Sequence, residues 1–259
     1  MRVAPDRLAR AGRVAVALGL AMAWLSFGRV LDVDGVPFAP GPLAALPMNP
    51  LVASVASFAF ASALAAWASQ RREDLTAALL VVLLAAGTQV QAWQWPGDEG
   101  ANGATMLPGA ALTAWWVARR FGGPAAVRDR RAVDAACGMV AGGYFVAAAS
   151  KVAGSGLAWA SAGNIGLQIA AQAAIVGGPL HTLRAAAAES PVFCGLLGVA
   201  TLVIEGGAVA YVWPPARPWL TVAIVGMHLG IGLLMGLHHY DWMFTTLGLG
   251  LASAAEDRR

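Results

Sequence analysis

Polar and apolar positions alternate along this chain in long blocks, with extended apolar runs separated by short clusters of charge. The runs cover 14–30, 51–69, 75–95, 106–117, 133–153, 191–213 and 219–237, with a shorter eighth at 242–255. A bilayer core takes roughly 20 apolar residues per helix. Backbone groups in lipid must be satisfied within the segment, and long Ala/Leu/Val runs without strict alternation favour helices over barrel strands. The pattern predicts an all-α polytopic integral membrane bundle, a single transmembrane domain over 1–259 with about eight transmembrane helices, in a range of about seven to nine.

One further stretch stays ambiguous. Residues 161–174, SAGNIGLQIAAQAA, place Asn164, Gln168 and Gln172 four residues apart, which makes one polar stripe on an otherwise apolar helix. The stripe serves either packing or the wall of a cavity. If this helix stays on the outer side, the spans number eight and Arg258 and Arg259 return to the inner side. If it crosses, they number nine. The first run follows arginines as a signal peptide would, but no small-residue cleavage site closes it, so it is expected to be a retained helix. Pro37, Pro40, Pro42, Pro47 and Pro50 predict a stiff first outer loop, either a cap or a spacer.

Composition agrees with the pattern: 58% of residues are hydrophobic and 12% charged, with a mean hydropathy of +0.64, where a soluble domain carries about 25% charged residues. Arginines gather at Arg2, Arg7, Arg10 and Arg13, at Arg71 and Arg72, and over 119–131, while alternate loops hold Asp32, Asp34, Asp98 and Glu99. The positive-inside rule then places the N-terminus in the cytoplasm. That anchoring accounts for the net charge of +3 without a nucleic-acid partner. Cys137 and Cys194 both fall in apolar helices, where buried free thiols are the simplest reading. No phosphate loop, G-x-S-x-G, H-E-x-x-H or C-x-x-C is present, which removes the main sequence support for nucleotide hydrolysis, serine-hydrolase and zincin chemistry.

Ionisable groups inside spans cost about 2.5–3.5 kcal/mol to insert and generally face a cavity or a partner. Lys151 is the only lysine among 17 basic residues, and it lies in the apolar segment GGYFVAAASKVAGSGLAW. An arginine holds its charge at any accessible pH, whereas a desolvated lysine can become a neutral amine able to accept a proton. The alternative is a lysine that snorkels to the headgroups. Tyr144, seven residues earlier, shares its helical face. Glu205 lies in mid-span, as a neutral structural hydrogen-bonder, an ion-pair partner or a group lining water. His228 and His239 are eleven residues apart, about 16 Å on a straight helix, too far to share a metal ion. His238, His239 and Asp241 crowd a helix end without a recognised zinc spacing. Gln89, Gln91, Trp93, Gln94 and Trp95 read as an interfacial aromatic belt.

The order of these pieces resembles a known family. GGYFVAAASKVAGSGLAW is similar to the Y-F…K-x…W segment of the horizontally transferred transmembrane domain, found in vitamin K-dependent γ-carboxylases and their small bacterial relatives. WPPARPWLTVAIVGMHLGIGLLMGLHHYDWM resembles that family's later segment, in which an R-P turn leads into a helix with a central histidine. The resemblance covers a core at 134–249. It implies a bacterial inner-membrane enzyme, an oxidoreductase or lyase, that uses a reduced menaquinone or vitamin K-type quinol with molecular oxygen. Epoxidation of the quinol would generate a base strong enough to take a proton from carbon, with carbon dioxide as a further reactant if carboxylation follows.

By the same resemblance, Lys151 is the base toward the quinol, His228 binds a quinol oxygen or oxyanion, and Glu205 relays protons. Tyr144, Trp159, Gln168 and His239 would line the cofactor site. The implied partners are the lipid bilayer, a lipid-soluble quinone and a small-molecule or peptide substrate. The chain departs from the animal carboxylases in having one lysine where they have two adjacent, and in lacking their large extramembrane domain, which makes a small substrate the expectation. Two other functions share these residues: a small transporter or proton-relay subunit, and a quinone-linked oxidoreductase subunit.

Overall fold

The computed structural model describes residues 4–31, 50–94, 99–175, 179–237 and 239–258. Among them there is helix and no strand, as the absence of period-2 alternation predicts. The helices are α1 Pro5–Leu31, α2 Pro50–Ala68, α3 Glu73–Gln94, α4 Glu99–Phe121, α5 Ala125–Ser155, α6 Ala162–Ile175, α7 Pro179–Ala188, α8 Pro191–Gly207, α9 Arg217–Met235 and α10 Tyr240–Glu256. Among the described residues, each of the eight apolar runs has most of its length on a helix. Four segments of the described residues are long and apolar enough to cross a membrane: Pro5–Leu25, Val127–Ala160, Pro191–Val212 and Pro214–Met235. The expected count of about eight is not reached by that measure. Most of the proline-rich loop, Asp32, Asp34, Trp95, Asp98 and His238 lie outside the described residues, as do the side chains of Gln89, Gln91, Trp93 and Gln94.

The chain gathers into two compact units, residues 1–139 with 240–259, and residues 140–239. The boundary falls within α5.

In the first unit α1 and α10 run antiparallel, with small residues at the seam. A Cβ added to Gly12 would lie 2.6 Å from the Gly248 carbonyl oxygen, and one on Gly248 would lie 2.5 Å from the Gly12 carbonyl oxygen. The two backbones therefore approach as closely as small-residue seams in membranes allow. The apolar centre of this unit joins Leu20, Trp24, Phe60, Trp67, Leu80 and Leu112. Trp24 stacks on Phe60 at 4.5 Å with an interplanar angle of 8°, and its indole N–H donates to Ser57 Oγ at 3.2 Å.

In the second unit a 3-10 segment, Gly156–Ala160, follows α5, and another, Ala208–Val212, prolongs α8. Ser190 caps α8, its Oγ accepting from the Phe193 N–H at 3.4 Å, with Pro191 in the first turn where no N–H is needed. Helix α8 runs antiparallel to the course of α5 and the 3-10 segment after it: a Cβ on Gly206 would touch Ala148 of α5 at 3.9 Å, and one on Gly198 would meet the carbonyl oxygen of Ala160 in the 3-10 segment at 2.5 Å. Helices α6 and α7, of 14 and 10 residues, pair with each other, and His181 donates through Nδ1 to the Ala173 carbonyl at 2.8 Å. The turn into α9 is held by Arg217, buried at 3% exposure. It donates from Nε to the Tyr211 carbonyl at 2.9 Å and from Nη2 to that of Val212 at 3.2 Å. Nearby, Tyr211 and Thr221 share a hydroxyl hydrogen bond of 2.9 Å.

Replacing Gly248 by Val would drive a branched side chain into the backbone of α1 at Gly12 and Val16. The expected cost is about 1–3 kcal/mol, read as a fall in the unfolding midpoint of the detergent-solubilised protein. Gly142→Ala, where a Cβ meets nothing within 4 Å, should leave that midpoint unchanged or slightly raised.

Candidate functional site

Two turns of α5 separate Tyr144 from Lys151, which puts both on one face. Lys151 does not extend along the helix to an end. Its Nζ donates to both carboxylate oxygens of Glu205, on α8, at 2.7 Å each. The Glu205 side chain is 7% exposed and that of Lys151 24%, so the pair is largely removed from its surroundings. The indole of Trp159 lies across the ammonium, with Nζ 5.0 Å from the ring centroid, a cation–π distance.

Trp159 is carried by the 3-10 segment after α5, where Gly156 takes a positive φ of 60°, the left-handed region open to glycine. The segment is tied down from α6: Asn164 Nδ2 donates to the Trp159 carbonyl at 2.6 Å, and Gln168 Nε2 donates to Asn164 Oδ1 at 3.5 Å. The polar stripe on α6 is thus a support. Gln168 acts two hydrogen bonds away from Trp159, and Gln172 packs against Gly236.

A second group forms around His228, which is 5% exposed. Its Nε2 shares a hydrogen bond of 2.6 Å with the hydroxyl of Tyr144, itself 1% exposed. The expectation that His228 and His239 stand about 16 Å apart on a straight helix is corrected here. Helix α9 ends at Met235, and Gly236, at φ 66°, reverses the chain, which brings the two imidazoles to 5.9 Å between centroids at 67°. Even so, no cluster of three or more His, Cys, Asp or Glu able to hold a metal ion occurs among the described residues. Asp241 belongs to the first unit and is buried at 5% exposure.

Five of the seven expected site residues thus join in two groups inside one unit: Lys151, Glu205 and Trp159 in one, Tyr144 and His228 in the other. His239 adds to the second group, and Gln168 supports the first from behind. Beside them the helix surfaces are apolar and open. A Cβ on Gly142, Gly154 or Gly207 meets nothing within 4 Å, and Phe145, Val152 and Val203 are 50%, 44% and 66% exposed.

Sequence reasoning missed three supports. Arg217 was visible only as part of an R-P turn, and its burial under two carbonyls could not be read from spacing. Arg184, on α7, is 4% exposed and donates from Nε to the Leu233 carbonyl at 2.8 Å, a favourable place for a cation at the C-terminal end of α9. Asn164 gave its signal as a polar position in the stripe, without revealing its acceptor. Both cysteines are free and buried, and Cys194 donates from Sγ to the Ala187 carbonyl at 3.2 Å.

No family model, curated protein or solved structure matches the chain.

The pair lends itself to a double-substitution cycle. Lys151→Met or Glu205→Gln alone strands one polar group, with an expected loss of about 1–3 kcal/mol, below the 3–5 typical of fully buried pairs because Lys151 is partly exposed. The double variant should recover most of that loss, as read from thermal unfolding midpoints in detergent.

Proposed function

We propose that the protein is an integral membrane enzyme that handles a proton for a lipid-soluble hydroquinone, in the manner of the vitamin K-dependent carboxylase-like family that its sequence resembles. The observation that carries this reading is the ion pair of Lys151 with Glu205 beneath Trp159, placed within apolar helices where an unpaired charge is costly. Open apolar surface beside Gly142, Gly154 and Gly207 suits a ligand that arrives sideways from lipid. A reduced naphthoquinone, with oxygen, would supply the redox chemistry that the side chains lack.

The ion pair changes the division of labour expected from sequence. Lys151 and Glu205 act as one unit that can accept a single proton, with a Glu205 oxygen as its nearest landing point. Lys151 then keeps its positive charge beside the oxygen that has lost the proton and balances it electrostatically. Tyr144 and His228 offer a hydroxyl and an imidazole to orient a second oxygen of the ligand. Trp159 covers the ammonium and keeps water from it. The substrate that ultimately loses a proton is read as a small molecule or peptide.

Two features of the wider architecture belong to the same reading. Helices α1–α5 and α8–α10 are taken as eight crossings, with α6 and α7, at 14 and 10 residues, too short to cross and folded as a pair on the outer side. An even count returns both ends of the chain to the cytoplasmic face of the cell membrane, in keeping with their arginines. The contiguous contacts Tyr144–His228–His239 favour a second reading, a proton-relay subunit.

The test is turnover in proteoliposomes supplied with a menaquinol-type quinol and oxygen, with quinone epoxide read by mass spectrometry. Wild type should form epoxide, while Glu205→Gln, which removes the proton acceptor, and Lys151→Met, which removes the balancing charge, should each lower the rate at least about 100-fold, the scale of general acid–base catalysis. Undiminished epoxide formation by Glu205→Gln would remove the pair from the mechanism. Proton leak without epoxide would favour the relay.

A further inference from the structure

The first unit contains a cavity of about 310 Å³ whose wall is of two kinds. One part is apolar, with Val16, Leu112 and Leu249 among its residues, and the other is charged, with Arg13, Glu73, Arg119, Asp129 and Glu256. The volume is in the range of small-molecule sites.

The charged part is built rather than incidental. Arg13 and Arg119 both bridge Glu73, and Arg119 reaches Asp129 and, at 3.2 Å, Asp74. The guanidiniums are fixed from behind by aromatic faces: Arg13 over Trp67 at 5.3 Å and Arg119 over Trp115 at 5.2 Å, the two indoles meeting edge to face at 5.8 Å. Arg13 also donates to the Trp67 carbonyl at 3.3 Å. Side-chain exposures of 19%, 17% and 12% for Arg13, Arg119 and Glu73 leave each with some surface available.

The balance of sign narrows the occupant. Two guanidiniums face three carboxylates on the wall, a formal sum of 2 − 3 = −1. A purely anionic ligand meets an excess of carboxylate, and a purely cationic one meets two fixed arginines. A molecule with an amine and an oxyanion a few bonds apart can place one against Asp129 and Glu256 and the other against Arg13 and Arg119. The apolar wall then takes a hydrocarbon portion.

We propose that this cavity binds a zwitterionic amphiphile, an amine and a phosphate or carboxylate joined to an apolar chain, and that the membrane supplies it as an aminophospholipid. The same chemistry in a water-soluble zwitterion is the other source. The site is independent of the Lys151–Glu205 pair, so either reading can fail without the other.

The experiment titrates the full chain, purified in mild detergent, with dioctanoyl phosphatidylethanolamine, dioctanoyl phosphatidylglycerol and glycerophosphoethanolamine, with binding read by native mass spectrometry. The expected result is one phosphatidylethanolamine per chain, bound about tenfold more tightly than phosphatidylglycerol, which has no amine. Ala9→Phe, which narrows the wall at a partly exposed position, should weaken it about tenfold with the unfolding midpoint unchanged. Asp129→Asn should reduce the preference for the amine lipid over phosphatidylglycerol. Equal binding of the two lipids, or full binding by Ala9→Phe, would overturn the site. Tighter binding of glycerophosphoethanolamine than of the lipid would overturn the bilayer as the source.

Discussion

An ammonium and a carboxylate set within apolar helices have one inexpensive arrangement, which is to meet, and the second unit is organised around that necessity. Lys151 and Glu205 are 54 positions apart in sequence, so their meeting requires α5 and α8 to lie antiparallel at one particular height. Small residues line the approach of α8: Gly206 against Ala148 on α5 and Gly198 against Ala160 on the 3-10 segment that follows it. Trp159 then closes over the ammonium, and α6 holds Trp159 in place through Asn164. Helix α9 follows from the same frame, because its His228 has to come within reach of Tyr144.

Charge does different work in the two units. In the second, cations other than Lys151 are spent on backbone carbonyls: Arg217 on Tyr211 and Val212, Arg184 on Leu233. Each stabilises a helix end or a turn and leaves Lys151 as the cation that meets a carboxylate. In the first, Arg13 and Arg119 share Glu73 in a network braced by tryptophans, at the arginine-rich end of the helices. Such networks hold several side chains in fixed places, whereas isolated surface pairs contribute little.

The helical class was legible because lipid leaves the backbone few options, and among the described residues every long apolar run lies mostly on a helix. Lys151, Glu205 and His228 were legible as ionisable groups in apolar surroundings, since such groups are scarce in this composition. Their pairing was not, because contacts across 54 and 84 positions depend on helix register, which a single sequence does not encode in any local pattern. The distance between His228 and His239 was misjudged for a local reason: the helix was extended through Gly236, although a glycine after LLM is a usual signal for a left-handed helix stop. The ion network of Arg13, Glu73 and Arg119 was invisible for the same reason as the pair, its members being spread over three helices.

The turn between α8 and α9 also acts as a rotational stop. With Arg217 capping two carbonyls and Tyr211 bonded to Thr221, the azimuth at which α9 leaves the turn is fixed. Each residue added or removed inside α9 between Pro218 and Met227 would rotate the part of the helix beyond it by about 100° and swing the imidazole of His228 to another side. The number of residues from the start of α9 to His228 thus decides which way the histidine faces, so lineages derived from this chain should tolerate changes of side chain there far better than changes of length.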